Sequence, residues 1–116
     1  MLDRADAVAS YGLVVAGIIH TALTPLFYPA GGEDPLWFAG SGLALIMLGL
    51  LNLARRAAPY PRVRQLSAAG NLVGVVYMII VTTMLPAPHV MFILVMLAIA
   101  TICSLSTPIP QGAATR

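Results

Sequence analysis

Long apolar stretches separated by short polar breaks dominate the pattern of this chain. No Asp, Glu, Lys or Arg occurs in residues 7–32, 35–54 or 65–115. A membrane core about 30 Å thick needs roughly 20 apolar residues per helix. The first two stretches each fit one such helix, whereas the third is too long for one helix and fits two.

Proline, glycine and charged residues mark where these helices should end. Pro and Gly are concentrated in residues 28–35, Arg in residues 55–64, and two Pro divide the third stretch at residues 86–88. Such clusters are typical of turns. The chain, 1–116, is therefore predicted to be a single all-α transmembrane domain, a membrane-spanning four-helix bundle made of two antiparallel hairpins. The predicted helices cover approximately residues 7–26, 36–54, 65–85 and 89–105.

The first apolar stretch has an alternative interpretation as a cleavable signal peptide. Against it, the stretch is longer than a usual signal-peptide core, and only Arg4 precedes it, beside Asp3 and Asp6. We therefore favour a retained helix.

Composition and the distribution of arginine give the expected location and orientation. Charged residues make up 9% of the chain and hydrophobic residues 59%, too few charges for the outer face of a soluble bundle. All 6 basic residues are Arg, and they lie in the amino terminus, the middle loop and the carboxyl tail. Since Lys and Arg favour the cytoplasmic side, we expect a multi-pass protein of the bacterial inner membrane with both termini cytoplasmic, N-in/C-in. Nucleic-acid binding would need a broader basic face.

Small residues indicate where helices approach one another. Gly70 and Gly74 form a GxxxG motif in the third predicted helix, a spacing that allows close backbone contact in membranes. The motif could mark a homodimer seam, but it is common by chance in apolar helices. We favour packing within one chain.

His20 lies well inside the first predicted helix, past the middle of the membrane, in a set of predicted helices that contain no Asp, Glu, Lys or Arg. Thr24 follows one turn later on the same face, and Pro25 is expected to bend the helix. Polar groups at such a bend often line a cavity in membrane proteins. Tyr77 nearly matches His20 in depth, Ser41 is a few residues shallower, and Thr82 lies further out. We expect these three side chains to face His20 in a ligand-binding cluster. The alternative is that His20 only donates a hydrogen bond to a neighbouring helix.

A second polar group is expected near the cytoplasmic ends of the middle helices. Asn52 and Asn71 lie at similar depths there, with Gln65 nearby. Amide side chains commonly bridge membrane helices, so we interpret these three as structural.

The residue types missing from the predicted helices argue against proton-coupled transport, zinc binding, nucleophilic catalysis and haem binding. They carry no carboxylate, which proton-coupled transporters usually place in the membrane. A zinc site or a nucleophilic triad would need converging acids, His or Cys. A haem held by His20 and His89 would require ligands at the same depth, which the spacing does not provide. No cofactor or metal is therefore expected.

These features predict a small integral membrane protein without catalytic activity. We expect it to act as an accessory subunit, or to bind a small apolar or amphiphilic ligand, a lipid or a quinone, near His20. The alternative is a small homo-oligomeric transporter or channel. The expected surroundings are the lipid bilayer, with a second copy or a larger membrane complex as candidate partners.

Overall fold

The described part of the chain is helical throughout. The structure, a computed structural model, describes residues 1–58 and 60–106. No strand occurs in these residues, so the expected all-α class is confirmed. Four long helices and one short helical segment follow one another along the chain. They are α1 (Leu2–Ala22), α2 (Thr24–Phe27), α3 (Glu33–Ala57), α4 (Pro61–Met84) and α5 (Pro88–Ser106).

Four segments are long and apolar enough to cross a membrane, counting α1 and α2 as one. They are Leu2–Phe27, Glu33–Ala57, Pro61–Met84 and Pro88–Ser106. In the most apolar stretch of each segment, only 17% to 39% of the residues are buried inside the bundle. Most apolar side chains therefore face outwards, a surface far larger than soluble monomers tolerate.

The helices extend beyond the charge-free stretches from which they were predicted. α1 begins at Leu2 rather than near residue 7, and α3 ends at Ala57 rather than near residue 54. The expectation that the helices lack carboxylates is therefore wrong, because Asp6 lies inside α1. Ionised residues can continue a helix where they reach water or an opposite charge.

The start of α4 differs for another reason. This helix begins at Pro61 rather than near residue 65. Proline at the first position of a helix costs no hydrogen bond, because the N–H groups of the first turn have no helical partner. The charged residues Arg62 and Arg64 therefore belong to the first turn of α4.

A break at Leu23 separates α1 from α2. The helix restarts at Thr24, with Pro25 in its first turn. Proline cannot donate to the carbonyl four residues earlier, that of Thr21, and its ring crowds that turn. The bend predicted at Pro25 corresponds to this break.

Glycines allow α1 and α3 to pack closely. Gly17 lies against Gly42, and Gly49 lies against Ser10 and Val14. A Cβ atom on Gly49 would lie 2.9 Å from both the Ser10 carbonyl oxygen and the Val14 nitrogen. These are backbone atoms, which cannot move aside as a side chain can, so only glycine fits here. The paired positions run in opposite order along the two helices.

The GxxxG glycines of α4 also face neighbouring helices of the same chain. A Cβ atom on Gly70 would lie 2.9 Å from a Leu48 methyl group, and one on Gly74 would lie 3.2 Å from Leu97. These side chains belong to α3 and α5. α4 therefore packs between α3 and α5, and α1 packs between the same two helices on the opposite side of the bundle.

An apolar core fills the space between the long helices, and α5 supplies the largest share of it. Its buried members are Ala9, Leu13, Leu45, Met78, Val90, Ile93, Met96, Leu97 and Ala100. Polar side chains lie at the two ends of this core.

Candidate functional site

His20 and Ser41 lie together where α1 meets α3. The Ser41 Oγ atom is 2.9 Å from His20 Nε2 and 2.7 Å from the Phe38 carbonyl oxygen. The close approach of Gly17 to Gly42, one turn away, brings the two backbones near enough for this contact. A hydrogen bond thus joins two helices at this end of the core.

One aromatic ring covers a face of this imidazole, and two further rings pack against that one. The Phe38 ring stacks on His20, with ring centroids 3.8 Å apart and an angle of 23° between the planes. Phe27 and Tyr28 contact Phe38 in turn, at centroid distances of 6.0 and 5.3 Å. The break at Leu23 brings α2 against α3, which places these rings there. We call His20, Ser41, Phe38, Phe27 and Tyr28 the histidine cluster.

Sequence reasoning identified His20 and Ser41 but missed the rings. Phe38 precedes Ser41 by three residues, and helical residues at that spacing share a face. Once Ser41 is matched with His20, this spacing also brings Phe38 towards the imidazole. The sequence therefore contains a signal for Phe38 as well as for Ser41.

The structure does not bring the other predicted ligand-binding residues into hydrogen-bonding contact with His20. Tyr77 is 58% exposed on the outside of α4, and Thr82 donates to the Met78 carbonyl of its own helix at 2.7 Å. Both residues belong to α4, across the bundle from α1. The Thr24 Oγ atom is buried without a hydrogen-bond partner among the described residues.

The predicted asparagine pair lies at the other end of the core. Asn52 and Asn71 exchange two side-chain hydrogen bonds, each 2.8 Å long. Ser67 donates to Asn52 Oδ1 at 2.7 Å, and Ser104 contacts Asn71 Nδ2 at 3.2 Å. All four side chains are completely buried. Such a satisfied network holds α3, α4 and α5 in a fixed arrangement.

Gln65 lies outside this network. It is exposed and lines a surface cavity of about 280 Å³, together with Pro61, Arg64, Ala68 and Leu105. The prediction grouped it with the asparagines because of its depth. Its side chain nevertheless points to a different side of α4 from Asn71.

A buried ion pair continues the polar region to α1. Asp6 Oδ1 lies 2.5 Å from Arg55 Nη2, and both side chains are at least nine-tenths buried. Arg56 binds the other Asp6 oxygen at 3.2 Å and Asp3 at 3.0 Å. We call these four residues, with Asn52, Asn71, Ser67 and Ser104, the arginine–asparagine network. Sequence reasoning missed the ion pair because it assigned these charges to loops.

Arg64 ties the start of α4 to the end of α5. Its Nε donates to the Ser104 carbonyl at 2.8 Å, and its Nη2 donates to that of Leu105 at 2.7 Å. Carbonyls at a helix carboxyl end lack helical partners, and a cation there is favourable. The start of α1 reaches the same end, since Cys103 Sγ lies 3.8 Å from the Leu2 carbonyl.

Charge is therefore strongly asymmetric along the bundle. All five arginines in the described part of the chain lie at the end that holds the arginine–asparagine network. They are Arg4, Arg55, Arg56, Arg62 and Arg64. The end with the histidine cluster carries Glu33 and Asp34 and, within the described residues, no arginine.

The described residues contain no group of three or more His, Cys, Asp or Glu that could hold a metal ion. Comparisons with protein-family models, with characterised proteins and with solved structures gave no match for this chain.

Proposed function

We propose that this chain is an integral protein of the bacterial inner membrane, built from two antiparallel helical hairpins with both termini in the cytoplasm. Two observations support this. Four segments have the length and apolar character that a bilayer core requires. All described arginines are at one end of the bundle, and arginine favours the cytoplasmic side.

Reporter fusions test this orientation. A reporter active only in the cytoplasm is expected to work when fused at residue 1 or after residue 106. A reporter active only outside the inner membrane is expected to work when inserted at Gly31 or at Ala87, in the two connections without arginine. Termini on opposite sides of the membrane would contradict the proposal.

We propose that the protein is not catalytic and binds a small amphiphilic molecule beside His20, by itself or as an accessory subunit of a larger membrane complex. The histidine cluster carries this proposal. It combines one polar ring, anchored by Ser41, with the apolar faces of Phe38 and Phe27. An apolar site with few fixed polar groups is typical of small-molecule binding.

Removal of the imidazole tests this binding role. In His20→Ala, we expect about tenfold less of any lipid-like molecule that co-purifies with the protein, because one hydrogen bond and one ring contact are lost. Mass spectrometry of the purified protein in mild detergent measures this retention. His89→Ala is the matched control, since His89 is an exposed histidine near the same end of the bundle. Equal retention in His20→Ala and the parent protein would exclude the site.

One observation favours transport by a homo-oligomer as the second candidate function. Asp6 supplies a buried carboxylate within a candidate span, a feature common in proton-coupled transporters. Its place one turn into α1, bound to two arginines, fits an anchoring role better. Solute flux into liposomes that Asp6→Asn abolishes while the bundle stays folded, and that His20→Ala leaves unchanged, would reverse this preference.

A further inference from the structure

The Ser41 hydroxyl determines which nitrogen of His20 carries a hydrogen. Ser41 Oγ is within hydrogen-bond distance of both the Phe38 carbonyl oxygen, at 2.7 Å, and His20 Nε2, at 2.9 Å. A hydroxyl has one hydrogen to donate, and a carbonyl has none. Both contacts are hydrogen bonds at once only if Ser41 donates to Phe38 and accepts from His20. The Nε2 atom therefore carries a hydrogen.

The other imidazole nitrogen is consequently an acceptor. In a neutral ring with its hydrogen on Nε2, the Nδ1 atom has an unshared electron pair. Among the described residues, the side-chain hydrogen bond of this ring is made at Nε2, with Ser41. His20 is only half-buried, so Nδ1 can be reached from outside the bundle, although Phe38 covers one face of the ring.

The position of this acceptor determines what can satisfy it. Ser41 lies eight residues after Glu33, the first residue of α3, so it is about 12 Å below the acidic end of that helix. In the proposed orientation this depth is within the outer leaflet, where water is scarce. An acceptor without a donor is costly in such surroundings.

We infer that the molecule bound beside His20 is a hydroxyl-bearing amphiphile, an alcohol or a phenol, whose O–H group donates to His20 Nδ1. This inference rests on the proposed binding function and narrows it. A ligand whose polar groups are only carbonyls, such as a quinone, has no hydrogen to donate to Nδ1. Its reduced form, a quinol, does. The Phe38 ring lies on the imidazole, and the Phe27 ring packs against Phe38. These two rings suit the apolar body of such a ligand.

Nitrogen NMR of the full chain in lipid nanodiscs tests the first step. The chain has 2 histidines, so in the variant His89→Gln, labelled with ¹⁵N-histidine, all imidazole nitrogen signals come from His20. We expect a hydrogen on Nε2 and none on Nδ1. A hydrogen on Nδ1 in the neutral ring would overturn the inference. Ser41→Ala should allow both forms, because it removes the group that selects between them.

A matched pair of probes tests the second step. Nonylphenol and its methyl ether share one apolar body, but only the phenol can donate a hydrogen bond. We expect the ether to bind about tenfold more weakly, as one hydrogen bond is lost, and only the phenol to move the Nδ1 resonance. Ser41→Ala should reduce this preference.

The outcomes separate the inference from the function on which it rests. If both probes bind equally and both are lost in His20→Ala, the binding function stands and the hydroxyl requirement is wrong. If neither probe depends on His20, the binding site itself is wrong. A phenol preference that survives His20→Ala would also overturn the inference.

Discussion

Replacing Asp6 with alanine is expected to lower the free energy of unfolding by about 3–5 kcal/mol, the typical cost of removing one partner from a buried ion pair. The change removes the carboxylate that faces Arg55 in an almost completely buried pair. It also removes one of the two carboxylates bound by Arg56. Reversible unfolding in mixed detergent micelles, followed by circular dichroism, measures the loss.

Two variants control for this result. Asp3→Ala removes another carboxylate bound to Arg56, but this one is 87% exposed. Exposed pairs contribute little, so stability should change by less than about 1 kcal/mol. The double variant Asp6→Leu with Arg55→Leu should recover much of the loss, because apolar side chains can replace a buried pair. If Asp6→Ala unfolds like Asp3→Ala, the pair does not stabilise the bundle.

Gly49→Leu is expected to separate α1 from α3 and to cost about 3 kcal/mol or more, at the upper end of overpacking effects. A side chain there would meet Val14 Cγ2 at 2.5 Å and two backbone atoms of α1 at 2.9 Å. The same unfolding measurement applies. We also expect weaker His20–Ser41 pairing, because that contact depends on the same close approach.

Gly40→Leu is the matched control in the same helix. No atom lies within 4 Å of a Cβ built on Gly40, so the added side chain projects away from the bundle. Stability should be unchanged or slightly higher, because leucine favours helix more than glycine does. A loss of stability as large as that of Gly49→Leu would show that helix packing is not the cause.

The number of long helices could be predicted because charges interrupt the apolar pattern near each turn. The helix ends could not be predicted in this way, because assigning helices only to charge-free stretches places every charged residue in a loop. Asp6 and Arg55 continue their helices by neutralising one another across the bundle. They are 49 positions apart, and no local pattern identifies such a partner.

The polar contacts were predictable only in part, for a geometric reason. Depth along the helix was enough to match His20 with Ser41 and Asn52 with Asn71, because each pair belongs to adjacent helices. Depth also matched His20 with Tyr77. However, the sequence does not say which helices are neighbours, and α4 is opposite α1.

The one-sided distribution of arginine limits how copies of this chain can associate. All five described arginines lie at one end of the bundle. In the proposed membrane orientation, inverted insertion of a second copy would bring its guanidinium groups to the opposite surface, at a cost for each of them. That orientation therefore favours a parallel homo-oligomer, with its symmetry axis along the membrane normal. The histidine clusters of all copies would then lie in the same leaflet, and all of them would bind molecules from that leaflet.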